Sequence, residues 1–336
     1  VTLNHYTLPD WIHDAVACHN TTPARLRDSA ACLMDRPCAT CAEHPGWLGG
    51  DALVHEIAKY AGFAAREFGD EVDLWATLNE PFAVLLPGFL LPTADRSNPP
   101  AWSLAFDEFK AAALAMIQAH ARMYDAVKDN DRGDADGDSL PARVGLVFNM
   151  TPAAPKDPQN PLDVAGAKNL FYLYNRFFLN AVIKGDVDPQ IDGTTVNEPA
   201  LAGRMDYLGI NYYTRVLVEG TERPVLPQLS PLTTFNPLTL SIWNDYPKGI
   251  YEMAKLVSSW GLPLLISENG TADQTDESVA PPYLVRHLDW LLRAREEGAD
   301  VLGYFYWTLV DNYEWNHGMS LRFGLYPSPF NYGSKS

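Results

Sequence analysis

Six short apolar runs constrain the fold of this chain more than any other feature. They begin at Val1, Leu74, Val144, Tyr207, Leu264 and Val301, and each is of strand length. Helical patterns lie between most of them. From Asp51, a plausible N-cap, Leu53, Val54, Ile57, Ala61, Ala64 and Phe68 recur on one helix face. Phe106, Phe109, Ala113, Met116, Ile117, His120, Tyr124 and Val127 mark a second, longer helix. Further helices are predicted over Val164 to Gly185, Gly249 to Trp260 and Tyr283 to Glu297, Pro-rich loops over Pro87 to Pro100 and about Arg223 to Pro247, and the last strand over Val301 to Val310. Strands alternating with helices imply a parallel sheet joined by right-handed crossovers.

The runs end alike. His5, Glu80, Asn149, Asn211, Glu268 and Trp307 each sit at or near the C-terminal end of a run. In a (β/α)8 barrel the site is built at that end. A doubly wound open sheet is the alternative, but no Gly-rich phosphate-binding turn supports it. Two of the six residues are carboxylates. A carboxylate closing a buried strand usually caps a helix or pairs with an Arg. Two of them, far apart in sequence, point instead to a pair facing one cleft. Such a pair suits cleavage of a glycosidic bond, where one carboxyl protonates the leaving oxygen and the other meets the oxocarbenium-like carbon. A separation of about 5–5.5 Å gives retention, and a wider one admits water and inverts.

Thr77-Leu78-Asn79-Glu80-Pro81 and Ile266-Ser267-Glu268-Asn269-Gly270 resemble the two signatures of family 1 glycoside hydrolases, the β-glucosidase/β-galactosidase family. The wording Leu8-Pro9 and Trp11-Ile12-His13-Asp14 is similar to its archaeal-type branch. The resemblance implies a (β/α)8 TIM-barrel fold of which strands 3 to 8 are present, an incomplete barrel forming one catalytic domain over 1–336. It implies hydrolysis of terminal β-glycosides by double displacement, with Glu80 as acid/base and Glu268 as nucleophile. It further implies sugar contacts from His5, Asn79, Asn211 and Trp307, with Tyr213 bonded to the nucleophile. Trp243 would wall the leaving-group site, and Glu314 with Trp315 would read the 4- and 6-hydroxyls. Glu314 would repel a phosphate, so unphosphorylated glucosides or galactosides are expected. The family more often has Trp where this chain has Tyr6. Its members also carry two strands ahead of the first one here, which supply a Gln for the sugar and an Arg beside the nucleophile. An open, C-shaped six-strand sheet is therefore expected, its edges covered by loops, by a partner chain in an oligomer, or by nothing. A catalytically impaired sugar-binding protein on the same scaffold is the competing reading.

A net charge of −17 argues against nucleic acid and anionic membrane surfaces as partners and fits a small neutral β-glycoside. No run approaches the roughly 18 apolar residues of a membrane span. The chain has nine Trp, which suit sugar stacking or core packing equally. No cofactor and no catalytic metal are implied. All four Cys, at 18, 32, 38 and 41, fall in a polar loop insertion at about 15–47. Disulfides, free thiols, or a metal site completed by His19 and His44 all remain open there. Oxidised cysteines would place the protein outside the cytoplasm, and reduced ones inside it. Asp134, Asp136 and Asp138 alternate as in a calcium loop but lack the distal Glu, so a solvated loop is expected. His120, on an apolar stripe, is expected to be a core histidine.

Overall fold

The computed structural model describes residues 1–9, 46–93, 96–223, 232, 234–235, 240–273 and 279–328; the side chains of 241–243 also lie outside the description. The four cysteines, His19 and His44 are not among the described residues.

Six parallel strands form the central sheet: β1 (Thr2–Asn4), β2 (Leu74–Asn79), β3 (Arg143–Asn149), β7 (Tyr207–Asn211), β10 (Leu264–Glu268) and β11 (Val301–Tyr304). They lie side by side in chain order, with β1 and β11 at the edges. A doubly wound sheet reverses its strand order at a switch point, and this one does not. β3 and β7 at the centre are buried almost throughout, as parallel strands covered on both faces must be.

The helices are α1 (Asp51–Phe68), α2 (Pro81–Leu85), α3 (Phe106–Asn130), α4 (Pro161–Asn175), α5 (Phe177–Lys184), α6 (Lys248–Ser258) and α7 (Ala280–Glu296). α1 buries Leu53, Val54, Ile57, Ala61 and Ala64, while Phe68 at its end is exposed. α3 carries His120 into the core. Its Nδ1 lies 2.6 Å from Thr77 Oγ1 and its Nε2 lies 2.7 Å from the Arg204 carbonyl, so both nitrogens are satisfied. Burial lowers its pKa to about 4, which keeps the ring neutral.

Four sequence expectations need correction. The helix expected from Val164 to Gly185 is two helices, broken at Arg176. The Pro-rich stretch after Pro87 is not all loop, because α2 runs on into one wide turn over Leu86–Leu90. The stretch from Arg223 to Pro247 contains β9 (Ser241–Asn244), which pairs antiparallel with β8 (Arg215–Val218), itself parallel to β4 (Ala153–Pro155). A two-residue ribbon, β5 (Asp186–Val187) with β6 (Val196–Asn197), completes the strands. Finally, β11 stops at Tyr304 and does not reach Val310. Beyond it the chain crosses Gly270, where an added Cβ would stand 2.0 Å from the Trp307 carbonyl oxygen. Only glycine allows that approach.

Candidate active site

Ladder register sets the site. Asn149 pairs with Asn211, and Asn211 pairs with Glu268, so three polar residues form one row at the C-terminal end of the sheet. The register shifts between Ala76 and Asn79 on β2, and again between Ile266 and Glu268 on β10. Irregularities of this kind re-aim side chains. Here they fall on the two strands that deliver the carboxylates.

Glu80 is the residue between β2 and α2, and its φ of 46° lies in the left-handed region. Its carboxylate is buried and held from two sides. Asn211 Nδ2 donates to Oε1 at 2.7 Å, and the Tyr6 hydroxyl donates to Oε2 at 2.5 Å. Asn211 also donates to Asn79 Oδ1 at 3.2 Å and accepts from Ser267 Oγ at 2.8 Å. Asn79 in turn donates to His5 Nε2 at 3.1 Å. Glu268 ends β10 and accepts from the Tyr213 hydroxyl at 2.6 Å. The next residue, Asn269, locks this strand end. It donates to the Tyr212 carbonyl at 2.6 Å and accepts from the Tyr304 hydroxyl at 2.8 Å. Trp307 Nε1 reaches Glu314 Oε2 at 3.4 Å, and Trp315 stacks on His5 with centroids 5.8 Å apart.

The structure thus joins His5, Asn79, Glu80, Asn211, Tyr213 and Glu268 in one linked group and sets Trp307, Glu314 and Trp315 beside it. Trp243 lies on β9, but its side chain is outside the described residues. Sequence reasoning missed Tyr6, Ser267 and Arg96. Tyr6 had a signal, since it stands where Trp is usual. Arg96 had none, for an arginine in a Pro-rich stretch reads as surface. Its charge nevertheless acts on Tyr6, Glu80 and Glu314.

Burial raises the pKa of both carboxyls, and the two differ in what opposes it. At Glu80 the Tyr6 and Asn211 donors and the Arg96 charge pull it back down. At Glu268 the Glu80 charge adds to burial and Tyr213 opposes them, leaving a pKa of about 8. Two buried carboxyls this close titrate as a pair, and the charge on one opposes ionisation of the other. Stability follows from this. A carboxyl with a raised folded pKa stabilises the fold fully below its unfolded value of 4.5 and loses that contribution as pH rises toward 8. Between pH 5 and pH 8.5 the chain should lose a few kcal/mol more than its Glu268→Gln variant. Urea melts at the two pH values measure this, and parallel losses in both proteins would refute it.

Asp73, Asp134 and Asp136 place carboxylate oxygens within 4.8 Å of one another at the far end of the sheet. Asp134 and Asp136 accept from the backbone of Ser139 and Asp138, the local bonding of an exposed turn.

Residues 34–336 match the family model described as Glycosyl hydrolase family 1. The chain belongs to that family. It is 37% identical to a β-galactosidase of Pyrococcus woesei, over 97% of this chain and 63% of the relative. A β-galactosidase of Sulfolobus acidocaldarius is 35% identical over 97% of this chain and 60% of that protein. The solved β-glycosidase of Pyrococcus horikoshii superposes with a TM-score of 0.73 at 28% identity, covering 97% of this chain and 65% of that one. The chain therefore spans less than two thirds of the length of these family members. Its six strands correspond to part of their TIM barrel.

Proposed function

We propose that this chain is the catalytic barrel domain of a retaining β-glycosidase acting on unphosphorylated β-D-glucosides or galactosides. The observation that carries the reading is the buried pair of strand-end carboxylates, each held by its own tyrosine, with Asn211 bonded to Glu80 and paired with Glu268 across the ladder. In the first step the Glu268 carboxylate forms a bond to the anomeric carbon. The bond to the leaving oxygen breaks, and Glu80 gives that oxygen its proton. In the second step Glu80 takes a proton from water, the water oxygen bonds to the anomeric carbon, and Glu268 departs. Trp307 offers an apolar face for the sugar ring, and Glu314 beside it suits hydroxyl recognition and disfavours a phosphate.

A second reading has one observation in its favour. Attack needs Glu268 ionised and Glu80 protonated, whereas burial and the Glu80 charge raise the Glu268 pKa to about 8 and so oppose its ionisation. A nucleophile whose ionisation is opposed attacks slowly, and a sugar-binding protein of weak activity fits. The family's TIM-barrel site and both carboxylates support catalysis. The test is release of nitrophenol from 4-nitrophenyl β-D-glucoside and β-D-galactoside, with NMR of the first sugar product. A β-configured product is expected. An α-configured product, or no release from either substrate, would overturn the reading.

A further inference from the structure

Tyr6 leaves β1 with φ 72°, a region that bulky residues rarely occupy. Glu80 and Trp315 share this backbone condition, with φ 46° and 47°. The three touch. Tyr6 bonds Glu80 and lies against the Trp315 ring, with centroids 4.9 Å apart. His5 meets the Tyr6 ring edge-on at 4.7 Å. Strained conformations persist where the surroundings fix them, and they gather at functional sites. What this strain achieves is the placement of one hydroxyl, 2.5 Å from Glu80 Oε2.

With Asn211 on Oε1, both oxygens of Glu80 then accept from a neutral donor. That arrangement suits the carboxylate and opposes the acid. If Glu80 is protonated on Oε2, its proton faces the Tyr6 oxygen, which can accept it. The phenol therefore competes with a glycosidic oxygen for the same proton. We propose that Tyr6 is a positioning residue for Glu80, which makes the site favour glycosides whose leaving group departs without protonation. The inference rests on the reading of Glu80 as the acid/base. For an activated aryl glycoside, Glu268 bonds to the anomeric carbon and the aryl oxygen leaves with its electron pair as the phenolate, with no proton drawn from Glu80. In the second step the carboxylate that Tyr6 favours is already the base that water requires.

The titratable groups acting with Glu80 are Tyr6, Tyr174, Tyr213, Arg96, Glu268 and Glu314. Burial opposes its ionisation, while the Tyr6 hydroxyl, the neutral Asn211 and the Arg96 charge favour it. Removing the phenol leaves the opposing influences stronger, so Glu80 keeps its proton to higher pH.

Tyr6→Phe retains the ring and removes the hydroxyl. Two readouts are needed. The first is kcat/KM against pH for 2,4-dinitrophenyl and methyl β-D-glucosides. The basic limb for the methyl glucoside should rise by about one unit, and the methyl-to-dinitrophenyl ratio should rise about tenfold. The second is titration of Glu80 by carbon-13 NMR of δ-labelled glutamate, assigned with Glu80→Gln. It should show the same upward shift and needs no turnover. Were neither substrate cleaved, the glycosidase reading would fail, and the titration alone would still decide on Tyr6. Should Tyr6→Phe not fold, Tyr6→3,5-difluorotyrosine keeps the shape, strengthens the donor and should move the Glu80 titration down. An unmoved Glu80 titration in a folded variant, or an unchanged substrate ratio in an active one, overturns the proposal.

Discussion

Glu268→Gly is expected to lower hydrolysis of aryl β-D-glucosides by at least about a thousandfold, and added azide is expected to restore release of the phenol. The small residue leaves room on the face of the sugar that Glu268 occupied, and azide is a nucleophile that needs no base. The sugar should then be recovered as an α-configured azide, because attack comes from that face. The stereochemistry also separates the two carboxylates. Removing an acid/base instead leaves the nucleophile to form its intermediate, and azide then gives a β-configured product. A β-azide from Glu268→Gly would exchange the roles assigned above, and an unchanged rate would remove Glu268 from the chemistry. Tyr213 should not replace the lost carboxylate, since burial and the neighbouring Glu80 charge hold its phenol protonated.

The second large effect is expected at the sheet edges. Among the described residues β1 pairs with β2 alone and β11 with β10 alone, so each presents one edge without a strand partner there. Phe305, Leu309, Tyr313 and Tyr326, which follow β11, are all exposed. Two β/α units of the kind that the family resemblance implies ahead of β1, fused before Val1, would supply partners for these edges. Each backbone group brought into a buried bond contributes on the order of 1 kcal/mol. The fusion should melt roughly 10 °C higher or more. Its kcat/KM should rise about a hundredfold, because pinned edges fix the strands that carry the carboxylates. The Arg that family resemblance assigns to the added part would also lower the pKa of Glu268. Thermal melts and pH–rate profiles of the chain and the fusion test this. Equal melting temperatures and equal profiles would show that the edges limit neither stability nor turnover.

What the sequence made legible follows from periodicity. The central strands were readable because burial on both faces makes them continuous apolar runs, and the residue after each run was readable as a strand end. α1 and α3 were readable from their spacing. β8 and β9 were not, because four-residue strands in a small side sheet carry too few residues for a pattern. β11 was read too long because Phe305, Trp307, Leu309 and Val310 look like strand residues. Trp307 is instead held at the Gly270 turn, and Leu309 and Val310 pair with Tyr326, contacts that have no signature within that segment. Within the site, residue types were legible and geometry was not. Register shifts on β2 and β10, the positive φ of Tyr6, and the reach of the Arg96 charge all arise from tertiary packing.

The buried Asn211 amide gives the molecule an internal indicator. One Nδ2 group lies 3.2 Å from an uncharged amide oxygen on Asn79 and 2.7 Å from a carboxylate oxygen on Glu80. With 1% of the residue exposed, its two protons should exchange slowly with solvent and remain visible in a proton–nitrogen spectrum. One of those protons is donated to a carboxylate that loses its charge on acidification, and the other to a neutral amide. The frequency gap between them therefore reads the charge on Glu80 directly, in the resting protein and without substrate, and reads it again when a sugar enters the cleft.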